Sequence, residues 1–355
     1  MTFGPGLHVL LLGATGTAGR GAARALARAG HAVTAVLRPG SPVPPDLAGM
    51  EALRAEVAAP GALAAAIEGR RFDALVSCLA SRTGAPRDAW AIDHAAHVHA
   101  LRAAERAGVG RFVLVSAICV QRPRLAFQHA KLAFEAELAA SNLDWTVARP
   151  TALMKSLSGQ VARVRRGRAF LVFGDGRLTA TKPISADDLG DVLAACLTDP
   201  SSHGRILPVG GPGPALAPRD QAAILGDLLG RPVPVRRVPP ALLSGAAGAL
   251  ALAARLRAGL AERAELARIG HYYATESMLV LDPVTGRYDA DATPEAGRTT
   301  WREHVAALLK GGDVDLREHA VFDAPETAVP PAPGRLATVT VGRSLVEKPW
   351  PPRPR

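Results

Sequence analysis

Cysteine is scarce in this 355-residue chain, which holds only Cys78, Cys119 and Cys196. Their odd number and wide spacing exclude a disulfide framework and a zinc cluster and point to a reducing cytosol. Aromatic residues make up 4% of the chain, and no basic stripe interleaved with aromatics occurs. The net charge of +10 is therefore read as a solvated basic surface, with no nucleic-acid partner. Such a surface still favours anionic cofactors, anionic lipids or a carboxylate-bearing substrate. Long apolar runs are also missing. The most apolar stretch, Ala241 to Ala254, is too short to span a bilayer. It is expected to be a buried helix, with a membrane-grazing helix as the alternative. No signal peptide precedes the first apolar run, Leu7 to Leu12, so a cytoplasmic protein is expected, with peripheral contact to membranes left open.

What is present is a globular pattern, with 48% hydrophobic residues and enough chain for one large α/β domain with appendages or for two modest domains. Apolar strands are expected at Leu7–Leu12, His31–Leu37, Phe72–Cys78, Arg111–Ser116 and Asp144–Arg149, with helices between them, notably Ala91–Ala107. Strands alternating with helices of this length predict a Rossmann-type doubly wound parallel sheet with helices on both faces. Beyond Pro150 the pattern loosens. Val161 to Phe173 reads as strands around a turn, Ala186–Leu197 and Pro218–Leu229 as helices, and Ile206–Val209 as a short strand. The expected organisation is a dinucleotide-binding core over residues 1–150, a smaller substrate-binding part over 151–323 interleaved with the end of the core, and a flexible, Pro-rich basic tail over 324–355.

The run Gly13-Ala14-Thr15-Gly16-Thr17-Ala18-Gly19 stands between an apolar strand and an amphipathic helix. In that context each glycine has a task. Gly13 turns the chain off the strand, Gly16 lets the backbone approach a pyrophosphate, and Gly19 permits close helix–sheet packing. The helix N-terminus offers free N–H groups to the phosphates. At the end of the second strand an NAD enzyme usually carries an acid for the ribose hydroxyls. Here no acid occurs from His31 to Ser41, and Arg38 stands there instead. A guanidinium suits a 2′-phosphate, so the cofactor is expected to be NADPH. Leu79, Ala80 and Ser81 are expected beneath the cofactor. His94 and His97 share a helix face, but no further ligand stands near them and no metal is expected.

One further absence sharpens the reading. Lys131 lies four residues after Phe127, and Ser116 ends the strand before it. This arrangement resembles the short-chain dehydrogenase/reductase superfamily, where the pattern is Tyr-x-x-x-Lys and the tyrosine handles the proton of a carbonyl. The chain keeps the lysine and lacks the tyrosine. On that resemblance Lys131 hydrogen-bonds the nicotinamide ribose and Ser116 joins the cofactor site; the bland alternative for Lys131 is a surface lysine paired with Glu135 one turn on. Longer blocks are more specific: Ser77–Gly84, Asp88–Ala96, Val115–Leu138, Arg149–Val161, Phe173–Ser185, Leu207–Gly213 and Ile269–Asp289. Together they resemble the NADPH-dependent divinyl chlorophyllide a 8-vinyl reductases, atypical members of that superfamily close to NmrA-like proteins. The segments Cys119–Lys131 and Tyr272–Asp282 carry most of the specificity.

The resemblance implies reduction of the 8-vinyl group of a divinyl (proto)chlorophyllide to ethyl, in chlorophyll and bacteriochlorophyll biosynthesis. Such a reaction protonates carbon rather than a carbonyl oxygen, so Phe127 is no handicap and could pack against a tetrapyrrole. Lys131 is the expected catalytic residue. Lys131 itself, Tyr272, Tyr273 and His129 are candidate proton donors, and Arg149 and Lys155 are candidates for the substrate's propionate. Other pigment-biosynthesis enzymes are candidate partners, at the surface of photosynthetic membranes. The competing reading is a catalytically silent NmrA-like protein that senses NADP(H).

Overall fold

The computed structural model describes residues 6–254, 257 and 260–311; the expected tail over 324–355 lies outside the described residues. Seven parallel strands build the main sheet. They are β1 (His8–Leu12), β2 (Ala32–Leu37), β3 (Glu51–Arg54), β4 (Ala74–Ser77), β5 (Arg111–Val115), β6 (Asp144–Pro150) and, after a seventh strand that lies outside the sheet, β8 (Arg205–Val209). Their spatial order is β3-β2-β1-β4-β5-β6-β8. The chain starts in the middle, winds outward to β3, then crosses back past β1 to β4. β1 explains why such a strand reads as a continuous apolar run. Val9 and Leu11 belong to the core on one face, Leu10 and Leu12 to the core on the other, and all four are fully buried.

Helices α1 (Thr17–Arg28) and α7 (Ala186–Ala195) cover the first face. The second is covered by α2 (Ala62–Ala66), α4 (His97–Arg106) and α5 (Ala126–Ala139). α4 continues a longer helical run that begins with α3 (Pro86–Ala89) and passes through a π-helical turn, Trp90–Ala96. Such wide turns recur at functional sites because they re-aim side chains.

The remainder forms a smaller layer. α6 (Met154–Arg165), β7 (Phe170–Phe173), α8 (Pro218–Leu229) and α11 (Trp301–Leu309) share a core around Phe170, Leu225 and Trp301. β7 pairs in parallel with β9 (Val235–Val238). α9 (Pro240–Ala254) and α10 (Ala261–Thr275) follow, then the short antiparallel pair β10 (Val280–Leu281) and β11 (Tyr288–Asp289). Buried Lys182 stitches this layer to the chain near its end, donating to Thr293 O at 3.1 Å and Glu295 Oε1 at 2.9 Å. Asp188 does the same by accepting from Arg298 N and Thr299 N.

Two expectations are corrected. Val161 to Phe173 is not all strand: α6 runs to Arg165, and only Phe170–Phe173 is extended. Met154, Val161 and Val164 are buried on one helical face, a 3.6-residue period that the β-branched residues disguised. Ala241–Ala254 is helical, but it is not buried: within α9 only Ala247 is.

α1 and α7 touch backbone to backbone through Gly21 and Gly190. A Cβ on Gly21 would lie 1.9 Å from Ala186 O, and one on Gly190 would lie 2.3 Å from Gly21 O. Gly21→Ala should therefore cost about 3 kcal/mol by forcing the helices apart. Gly159→Ala, placed inside α6 with nothing within 4 Å, should instead gain up to about 1 kcal/mol. Urea unfolding of the two variants reads the contrast.

Candidate active site

The residues expected to hold a dinucleotide gather at the C-terminal ends of β1, β2, β4 and β5, beside the crossover between β1 and β4, where open α/β sheets bind ligands. Gly13 has φ +71°, and a Cβ there would lie 2.6 Å from the Cys78 carbonyl group. Gly19 packs so closely that a Cβ would lie 2.0 Å from Gly13 O. Gly16 differs: the nearest protein atom to its absent Cβ is Gly13 O at 3.5 Å. Packing within the chain does not demand a glycine there, whereas a close-lying pyrophosphate does. No side chain caps the N-terminus of α1, so its N–H groups face the same space. Ala14 and Thr15 complete the loop, which Arg20 braces by donating to Thr15 O at 2.9 Å. These features fit a dinucleotide.

Arg38 stands exposed just past β2. Arg54, at the end of the neighbouring β3, donates to Arg38 O at 3.2 Å and also to Ser41 O. A second guanidinium thus fixes the loop that presents the first. Nothing in the sequence around Arg54 marked it, because β3 is an exposed edge strand without an apolar pattern.

Lys131 is not a surface lysine: it is 8% exposed. Its Nζ lies 3.0 Å from Asp93 Oδ1, and the i+4 partner considered above, Glu135, is engaged elsewhere. Asp93 comes from the π turn and is 1% exposed. Its Oδ1 also accepts from Ser81 N at 3.1 Å, while its Oδ2 has no partner. One carboxylate therefore ties the Leu79–Ser81 loop to the lysine. Sequence reasoning missed Asp93, since an acid on a helix reads as a solvated face.

Ser116 is placed differently from the expectation. It is buried, and its hydroxyl donates to Glu135. Glu135 in turn holds Arg149, whose Nε lies 3.3 Å from Oε1. Ser116, Glu135 and Arg149 form an interior cluster joining β5, α5 and β6, so neither Ser116 nor Arg149 offers a free group to the cleft. Lys155 stands half-buried in the first turn of α6.

Phe127 is buried with Ile118, Leu125, Ile269, Tyr272 and Met278. The turn at Gly84 closes over it: a Cβ on Gly84 would lie 2.9 Å from Ile269 Cδ1 and 3.4 Å from the Phe127 ring. A tyrosine hydroxyl is replaced by an apolar contact with α10, and Phe127 meets the protein's own wall rather than open space.

The two segments that carried the family resemblance meet here. Tyr272 shares its hydroxyl proton between Cys119 O at 2.9 Å and Arg122 O at 3.0 Å. Gln121 bonds Leu279 O and Leu281 N. Arg122, Arg124 and Tyr288 converge on buried Glu276. Gln128 accepts from Arg124 N and Leu125 N and donates to Cys119 O, pinning the loop before α5.

The candidate proton donors therefore separate. Burial pushes the Tyr272 hydroxyl up to about 12, and its proton is held by two carbonyls, so it is a structural residue. His129 faces outward, exposed on α5, and does not join the site. Tyr273 is 38% exposed, yet its hydroxyl end lies 3.9 Å from Cys119 Sγ. Loss of water at that end, then the neighbouring Cys119, raises its pKa well above the usual phenol value, and the Asp93 charge bears on it too.

His94 and His97 do not converge. His94 Nε2 pairs with Glu137 at 2.7 Å. His97 Nδ1 donates to Ile92 O at 3.0 Å, leaving Nε2 to accept from Ser77 Oγ at 2.9 Å.

From residue 13 to 200 the chain matches the family model described as NAD(P)H-binding. It is similar to the divinyl chlorophyllide a 8-vinyl-reductase, chloroplastic, of Oryza sativa subsp. indica, at 43% identity over 331 residues, covering 88% of this chain and 82% of that one. The protein of the same name from Arabidopsis thaliana is 40% identical over 323 residues, covering 86% and 78%. Among solved structures, the NADPH-dependent quinone oxidoreductase QOR2 complexed with NADPH, from Escherichia coli, matches with a TM-score of 0.60 at 19% identity, covering 85% of this chain and 99% of that one. That likeness carries the fold.

Buried His97 gives the site an acid limit. Burial, then the Lys131 charge, lowers its pKa to about 4 from 6.5. Between those values the unfolded chain binds the proton and the folded chain does not, so stability rises with pH across that window. Acidification from pH 6.5 to 4 should remove roughly 3 kcal/mol through this group. Denaturation midpoints measured across that range should fall, and His97→Gln should flatten the slope.

Proposed function

The chain belongs to the divinyl chlorophyllide a 8-vinyl-reductase family, and from that premise we infer that it reduces the 8-vinyl group of a divinyl chlorophyllide to ethyl with NADPH, in chlorophyll and bacteriochlorophyll biosynthesis. The observation that carries the mechanism is the pairing of a retained, buried Lys131 with an apolar Phe127. A carbonyl reductase needs an acid at the second position, whereas reduction of a conjugated alkene does not. When bound in the cradle of Gly13, Gly16 and Gly19, NADPH would supply the hydride, and conjugation of the vinyl group with the macrocycle would make its terminal carbon a suitable acceptor. The remaining carbon then takes one proton, which balances the reaction.

The chain's own residues divide the rest. Gly13, Ala14, Thr15, Gly16 and Gly19 shape the pyrophosphate cradle, Arg38 braced by Arg54 takes the 2′-phosphate, and Leu79, Ala80 and Ser81 underlie the cofactor. Lys131, held by Asp93, orients the nicotinamide ribose. Tyr273 donates the proton: its side chain is partly exposed, and its hydroxyl lies beside the Cys119 thiol rather than being committed to two backbone carbonyls as that of Tyr272 is. The tetrapyrrole lies over the junction of Cys119–Lys131 with Tyr272–Asp282, and Lys155 is the candidate retained for its propionate. On this reading residues 151–323 supply the substrate-binding part; residues 312–323 fall outside the described range. Placement in the cytoplasm, at the periphery of pigment-bearing membranes and near other pigment enzymes, belongs to the same proposal. No helix among the described residues is long and apolar enough to cross a membrane.

Anaerobic incubation with divinyl chlorophyllide a and NADPH, followed by pigment chromatography, reads the reaction. Tyr273→Phe should lower turnover by about 10²-fold or more, in the range of a lost general acid, with NADPH affinity unchanged. Lys131→Ala should lose both turnover and NADPH affinity. Full turnover in Tyr273→Phe would remove Tyr273 from the mechanism; intact NADPH binding with no conversion in the wild type would return the chain to the silent-sensor reading.

Arg38→Ala should weaken NADPH, but not NADH, by about 2 kcal/mol, roughly thirty-fold, as expected for a hydrogen bond to a charged group. Fluorescence titration with both cofactors checks the preference.

A further inference from the structure

α9 is the one described helix that is apolar on every side and still faces outward. Pro240–Ala254 carries no charged residue. Leu243, Ala247, Leu250 and Ala254 turn toward α10; Leu243 comes within 4.0 Å of the position a Cβ on Gly270 would take. The opposite face is open. Leu242 is 63% and Leu252 64% exposed, and the residues between them on that face are Ala and Gly, apart from Ser244. The Ser244 hydroxyl bonds back to Ala241 O at 3.1 Å, so the face offers no unsatisfied polar group. Surface helices ordinarily carry a polar outer stripe; a helix apolar all round is normally covered.

The flanks say by what. From Leu228 to Ala261 the sequence has five arginines and no acidic residue. Arg231, Arg236 and Arg237 are exposed before α9, and Arg257 is exposed after it. A bare apolar helix bracketed by cations complements a surface that is apolar inside and negatively charged outside. At 1.5 Å per residue, its 15 residues reach about 22 Å, short of the ~30 Å bilayer core, so it can lie in the interface but not span it.

We propose that α9 is a membrane-docking helix, which seats its Leu242/Leu252 face in the interface of an anionic bilayer while Arg236, Arg237 and Arg257 meet the lipid headgroups. The contact needs only α9 and its flanks; its consequence rests on the reductase reading. α10, which packs on the inner side of α9, carries Tyr272 and Tyr273, so docking sets the mouth of the site at the bilayer surface, where an apolar tetrapyrrole partitions.

The test is flotation of the full chain with vesicles of phosphatidylcholine alone or with one-third phosphatidylglycerol. Binding should require the anionic lipid, weaken with salt, and fall at least tenfold in Leu242→Glu/Leu252→Glu and in Arg236→Gln/Arg237→Gln. Both variants should keep the wild-type thermal midpoint and turnover of detergent-dispersed pigment. No binding, or binding that both variants retain, overturns the proposal; retained binding would place the contact elsewhere in the chain. It is equally overturned if light scattering shows a dimer that the Leu242→Glu/Leu252→Glu variant splits and vesicles bind neither form, since the face would then join two copies. Loss of pigment turnover with vesicle binding intact would instead count against the reductase reading.

Discussion

The site hangs on one buried carboxylate. Asp93 receives the ammonium of Lys131 and the amide of Ser81, and so joins α5 to the loop after β4. Neither charge would be stable alone at that depth, because burial without a partner costs several kcal/mol per ion. Removing one member of such a pair typically costs about 3–5 kcal/mol. The π turn at Trp90–Ala96 matters for the same reason: it sets Asp93 under the loop while His97, one turn later, still meets Ser77. The unpartnered Oδ2 of Asp93 leaves the carboxylate one acceptor in reserve beside the lysine.

Around that pair the fold separates tasks that a carbonyl reductase combines. There, one tyrosine sits a helical turn before the lysine and handles the proton. Here that position holds Phe127, turned into a hydrophobic cluster with α10. A phenol that feels the Asp93 charge comes from α10, as Tyr273. Its neighbour Tyr272 gives up its own chemistry to clamp the Cys119–Arg122 loop. Two adjacent tyrosines on one helix thus differ in surroundings, one bonded to backbone carbonyls and the other set beside the Cys119 thiol.

The sheet was largely legible in the sequence, because parallel strands buried on both faces read as apolar runs and each glycine of the Gly13–Gly19 turn has a local task. Lys131 was singled out by its spacing from Phe127 and by the strand that Ser116 ends, and the structure finds it buried and paired. What escaped was long-range. Asp93 lies 38 positions from Lys131 in sequence, and nothing local tells a buried acid from a solvated one. Ser116 and Arg149 were assigned to the cleft because both end strands; Glu135, facing inward from α5, takes them instead. β3 escaped as an exposed edge strand. α9 misled in the opposite sense, since hydrophobicity alone implies burial and only the packing shows which face is left open.

That open face and the reactive end are coupled through α10. Its inner side supplies Ile269 and Tyr272 to the cluster over Phe127, and it sets the Tyr273 hydroxyl beside Cys119. Its other side receives α9, with Leu243 close to Gly270. α9 therefore rests on the helix that carries Tyr272 and Tyr273. The Tyr272 clamp ties α10 to the loop that leads into α5 and Lys131. α10 thus links the exposed apolar helix α9 on one side to the Phe127 cluster on the other.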